Sequence, residues 1–137
     1  MKATLNVIFF LSLLCSGKTL AQWSTDPTNP LIVGYGLLSE VCSDSVGSCY
    51  ITYQQGTSYP TDIGLTRLNR YGYQAWGGAK RIQGLLPEQY NSKIIEDGNN
   101  GVIVSYLNEF DTNTSYTYRV RVQRVDSSGD LLWGATG

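Results

Sequence analysis

The sequence predicts an all-β chain built from two copies of one four-stranded antiparallel unit, and three observations carry that prediction. The first is composition. Gly, Ser, Thr, Asn and Asp are frequent, tyrosine occurs 10 times and methionine only at position 1, the make-up of short strands joined by tight turns. The second is alternation: along Tyr116–Val125, Tyr116, Tyr118, Val120 and Val122 point one way and Arg119, Arg121 and Gln123 the other. The third is self-similarity. Cys42–Tyr53 aligns with Ile95–Tyr106 at an offset of 53, and Ile63–Gly77 with Val120–Gly134 at an offset of 57. Asp44 then meets Asp97, Tyr53 meets Tyr106, Arg67 meets Arg124, Gly72 meets Gly129 and Trp76 meets Trp133. The change of offset puts four extra residues in the central loop of the second copy.

In chain order, residues 1–21 read as an export signal. Lys2 supplies a positive start, Leu5–Leu14 is almost wholly apolar, and Thr19 and Ala21 are the small residues before a cut that leaves Gln22 as the mature N-terminus. An apolar run of about ten residues is half the length of a spanning helix, so no permanent membrane span is expected. Cys15 would be the acylated residue of a lipoprotein, but Leu14 stands where a small residue belongs. The mature chain divides into an N-terminal segment over 22–39, a first repeat over 40–88 and a second over 89–137, C-terminally incomplete. The net charge of −1 moves to about −3 once Lys2 and Lys18 leave with the signal. That argues against nucleic acid, which needs clustered Lys and Arg.

Cys42 and Cys49 flank the turn-rich stretch 43–48 in an exported chain, and a disulfide across that hairpin is expected. The chain has no histidine. Two thiolates alone make no zinc site, and Ser-His or Cys-His catalysis is excluded. In the second copy, strands are expected at Lys93–Ile95, Val102–Leu107 and Tyr116–Val125, with turns at Glu96–Gly101 and Asp126–Gly129 and a last strand beginning at Leu131–Trp133. Asp97–Gly101 is oxygen-rich and glycine-flexed, which makes calcium the one cofactor to weigh. It lacks the ligand spacing and distal Glu of a calcium loop, and a plain hairpin turn is the reading. The loops Gln54–Asp62 and Asn108–Thr117 differ in length over a constant scaffold and hold Tyr59, Glu109, Phe110, Asp111 and Tyr116, a candidate recognition surface. Glu109 and Asp111 are the candidate acid/base pair for glycoside hydrolysis, but two acids this close on a polar loop are ordinarily solvated, so no catalytic residue is assigned.

A period near 50 with four strands per unit is that of a β-propeller blade, and one blade cannot cover both of its faces alone. Asp97–Tyr106, Gln123–Gly134 and the opening segment Ala21–Pro27 resemble the repeats of large exported bacterial β-propeller proteins, which often end in a secretion-sorting domain. The resemblance covers most of the mature chain. It implies a fold and a secreted or cell-surface location, and no chemistry. Ser128–Trp133 loosely resembles the end of the tryptophan-docking motif of quinoprotein propellers, where the turn packs and the indole wedges between blades. Trp76 and Trp133 are read the same way. Two blades do not close a ring, so the chain reads as a fragment whose blades contact further repeats or self-associate. A small β-sandwich is the alternative fold. The expected function is a non-enzymatic exported module that binds an extracellular polymer or protein, or spaces other parts. The alternative is a piece of a secreted sialidase-like enzyme, against which the missing Asp-box pattern and arginine cluster weigh.

Overall fold

Turns rich in Gly, Asn and Asp cut the chain into seven strands in the computed structural model, which describes residues 23, 26–56, 61–83, 88–111 and 116–137. Strands β1 (Leu37–Ser43), β2 (Cys49–Gln55), β3 (Asp62–Leu68) and β4 (Lys80–Arg81) form one antiparallel sheet in that order. Strands β5 (Gln89–Glu96), β6 (Val102–Asp111) and β7 (Tyr116–Val125) form a second. The protein is all-β, with two antiparallel sheets packed face to face in a sandwich-like arrangement. Among the described residues no helix is long and apolar enough to cross a membrane. The expected export signal, its cut before Gln22, Cys15 and Tyr59 lie outside the described residues.

Residues that align in sequence do the same work in both sheets. β1 and β5 each carry a bulge, between Leu37 and Glu40 and between Tyr90 and Lys93. Inside each bulge one non-glycine residue takes positive φ, Leu38 at 50° and Asn91 at 53°. The extra residue bends the strand and re-aims its side chains. After β3 and β7, the carboxamide of Asn69 and the carboxylate of Asp126 each accept two main-chain N–H groups of their own turn, from Tyr71 and Tyr73 and from Ser128 and Asp130. This is the local side-chain capture for which Asn and Asp are favoured in turns. Both turns then pass through a glycine of positive φ, Gly72 at 86° and Gly129 at 88°.

The core lies between the sheets. Tyr50, Ile63, Leu65 and Ile82 of the first pack on Ile94, Val102, Val104, Tyr106 and Val125 of the second. Two polar pairs lie within it: Ser92 Oγ donates to Thr52 Oγ1 at 2.9 Å and the Tyr106 hydroxyl to Gln83 Oε1 at 2.7 Å.

Three expectations are corrected. β6 runs to Asp111 and β7 starts at Tyr116, with Phe110 paired to Thr117 and Asp111 to Tyr116. Glu109, Phe110, Asp111 and Tyr116 therefore belong to strands, because the ladder continues past the apolar run that marked its end. Leu131–Trp133 forms only a single bridge, Leu131 to Val125, and no strand. Cys42 and Cys49 are free thiols. Cys42 pairs with Tyr50 while Cys49 pairs with Ser43. Neighbours along a strand point to opposite faces, so this register sets the two sulfurs on opposite sides of the sheet. Bonding them needs a one-residue slip that would turn Tyr50 out of the core.

Candidate functional site

Each β-hairpin turn that faces the other sheet is organised by one aspartate. Asp44 Oδ1 accepts the N–H groups of Val46 and Ser48, and its Oδ2 lies 3.3 Å from Arg67 of β3. Asp97 Oδ1 accepts those of Asn99 and Gly101, and its Oδ2 lies 2.8 Å from Arg124 of β7. Burial works against both carboxylates. For Asp44 the Ser48 N–H, the Arg67 guanidinium and the Ser48 hydroxyl outweigh it; for Asp97 Arg124 and the two turn amides do. Both carboxyls are held below their ordinary range. These are the Asp and Arg pairs that the sequence repeat singled out. The oxygens of Asp97 that a calcium ion would need are committed to main-chain amides and Arg124.

The tryptophans join the units. Trp76, at the end of the first, donates its indole N–H to the Ser127 carbonyl at 3.0 Å, in the turn of the second. A Cβ added to Gly129 would stand 3.1 Å from that ring, so the close contact adds to the preference for glycine that its positive φ sets. Tyr50 tilts against the same indole at 5.9 Å between ring centres, and Arg67 sits over Tyr50. Burial raises the Tyr50 phenol, against the lowering effect of Arg67, to about 12. Trp23 repeats this arrangement one unit earlier. Its indole N–H donates to the Arg70 carbonyl at 3.1 Å, and a Cβ on Gly72 would stand 3.0 Å from it. Sequence reading missed Trp23, although the signal was present: Trp23, Trp76 and Trp133 follow one another at the repeat's own offsets of 53 and 57. Trp133 is 46% exposed, and its indole has no hydrogen-bond partner among the described residues.

Comparison with protein-family models, with curated proteins and with solved structures finds no match to this chain.

Two clefts open at the first strands. One, of about 310 Å³, lies where the bulges of β1 and β5 meet and is lined by Leu38, Ser39, Glu40, Asn91, Ser92 and Lys93. Glu40 and Lys93, at equivalent positions of the two units, form an ion pair across it. The other, of about 410 Å³, lies on the first sheet's outer side, along Val33, Gly34, Gly36, Val41, Ile51 and Tyr53. Tyr53 and its counterpart Tyr106 are both buried. Gly34 is needed because a Cβ there would stand 2.3 Å from Cζ and the hydroxyl oxygen of Tyr53. The bulge cleft was not legible in the sequence, since nothing marks Leu38 as a residue of positive φ.

Of the expected recognition residues, Glu109, Phe110, Asp111 and Tyr116 share one end of the β6–β7 ladder, and Tyr59 lies outside the described residues. Glu109 is buried in β6 and accepts the Tyr90 hydroxyl at 2.7 Å. Burial, then that hydrogen bond, raises the Tyr90 phenol above its ordinary value. Phe110, Asp111 and Tyr116 follow at the far end of the β6–β7 ladder. What these surfaces offer is hydrogen bonding and apolar contact; the carboxylates of Glu40, Asp44, Asp97 and Glu109 are all held by donors of the chain itself.

Proposed function

We propose that this chain is a non-enzymatic module of an exported or cell-surface protein, of β-propeller type, that binds an extracellular polymer or protein or spaces other parts. The observation that carries the reading is the repeated joint. An indole preceding each unit sits on that unit's Asx-capped turn, Trp23 on Arg70–Gly72 and again Trp76 on Ser127–Gly129. Such joints serve a scaffold, in which each unit is completed by its neighbour. Conserving the charged side chains for turns and ion pairs supports a structural use over an acid/base one, and the signal-like residues 1–21 support export.

Expression in a bacterial host that exports proteins tests the reading. The secreted chain should begin at Gln22 and release no reducing sugar from sialylated or other polysaccharides. Retention in the cytoplasm would remove the exported role. Sugar release, abolished by replacing a named acid such as Glu109, would make the chain an enzyme.

A further inference from the structure

The joint between the units pairs two different faces. The first sheet contributes the side that carries Tyr50, Thr52, Ile63 and Leu65, which its register places together. The second contributes the opposite side of its own sheet, with Ile94, Val104 and Tyr106. The second sheet thus repeats the first sheet's contact face on its far side, with no described strand packed on it. At the repeat offsets Ile63 and Leu65 become Val120 and Val122. Those two are 0% exposed in the first unit and 72% and 36% exposed in the second. Trp76 likewise becomes Trp133, whose indole is 46% exposed and has no hydrogen-bond partner among the described residues. The complementary face also exists in the chain. It is the outer side of the first sheet, where the cleft of about 410 Å³ runs along Val41 and Ile51, the counterparts of Ile94 and Val104, with Tyr53, the counterpart of Tyr106, buried against Gly34. The turn beside it, Arg70–Gly72, already accepts an indole, that of Trp23.

We propose that the open face of the second sheet docks a second copy of this chain, on the Ile51–Tyr53 side of that copy's first sheet, with Trp133 taking the Arg70–Gly72 turn in place of the copy's own Trp23. The contact continues the interface within the chain. It is head-to-tail, so successive copies either close into a ring or extend as a filament. This goes beyond the module reading, since it names the partner of one face and needs no ligand.

Sedimentation of the chain as its expressing cell processes it, from about 1 µM to 100 µM, tests the proposal. Association should rise with concentration. Trp133→Ala and, separately, Val120→Glu should each weaken it at least about tenfold, as removal of a buried aromatic anchor or burial of a charge does. Both positions are exposed in the single chain, so circular dichroism should show both variants folded. Trp23→Ala, which vacates the accepting turn, should leave association as strong or make it stronger. Association unchanged in Trp133→Ala and Val120→Glu overturns the proposal, because another surface then carries it. A monomer throughout the range also overturns it.

Discussion

Asp44 and Asp97 each hold two turn amides and one arginine, which no other side chain could do in the same space. Asparagine keeps the size but loses the charge that Arg124 needs, and a half-buried guanidinium without its partner costs about 3 kcal/mol. Asp97→Asn should therefore lower stability by about that much in urea titration at neutral pH. The same residues set the acid limit of the fold. Both carboxyls are lowered in the folded chain, so the stability they add is complete above the ordinary aspartate value of about 3.9 and is lost as pH falls through their folded values. The wild-type midpoint should drop as pH falls below about 4, and Asp97→Asn should flatten that drop; an unchanged acid limb would show that the pair carries no such linkage. The cysteines behave differently. Burial is the first cause that raises both thiols above their ordinary value, which keeps them protonated and slow to react. Iodoacetamide at pH 8 should label Cys42 and Cys49 more slowly in the native chain than in urea, without prior reduction. Failure to label either in urea would mean that they are bonded.

At the scale of elements, turns were the most legible features and strand ends the least. Asp44, Asp97 and Asp126 announce their turns because a short acceptor beside Gly captures local amides. The end of β6 was not legible, because Asn108, Glu109 and Asp111 are polar while main-chain pairing to β7 carries the ladder on through them. The bulges were hidden for a related reason: Leu38 and Asn91 adopt positive φ under tertiary constraint, where no local preference of leucine would put it. Glycine turns allow a sharper test. Gly98 and Gly129 both have positive φ, but a Cβ on Gly98 meets nothing within 4 Å while one on Gly129 meets the Trp76 ring at 3.1 Å. Gly98→Ala should cost only the backbone strain, about 1 kcal/mol. Gly129→Ala should cost clearly more, and tryptophan fluorescence should shift to the red as Trp76 is pushed from its seat. Equal costs, read from paired urea titrations, would show that the indole does not rest on that turn.

For the whole molecule, the internal repeat was legible because Arg, Gly and Trp recur in order, whereas which faces meet was not. In β7 the alternating pattern separates Tyr118, Val120 and Val122 from Arg121 and Gln123, and by hydropathy the first set belongs inside. The structure turns the second toward the first sheet. Gln123 is 0% exposed, bonded to the Gly134 carbonyl and the Trp133 amide, and Arg121 reaches Asn108 Oδ1 and the Thr136 carbonyl. A pattern gives two faces; only the neighbour decides which is covered. The consequence is that the two sheets share one core and neither has its own. The buried apolar residues come from β2, β3, the segment after β4, and β5 to β7 together, and Trp76 pins the first unit to the turn of the second. Loss of either sheet strips the other, so unfolding should be a single cooperative step. Trp76→Ala should destabilise the chain by about 3 kcal/mol, and Trp133→Ala by less than about 0.5 kcal/mol in the dilute monomer. Thermal melts followed by far-ultraviolet circular dichroism and by tryptophan fluorescence should coincide for the wild type. Two separated transitions, with Trp76→Ala shifting only one of them, would mean that each unit folds by itself and that the joint between them is an accessory to two independent folds.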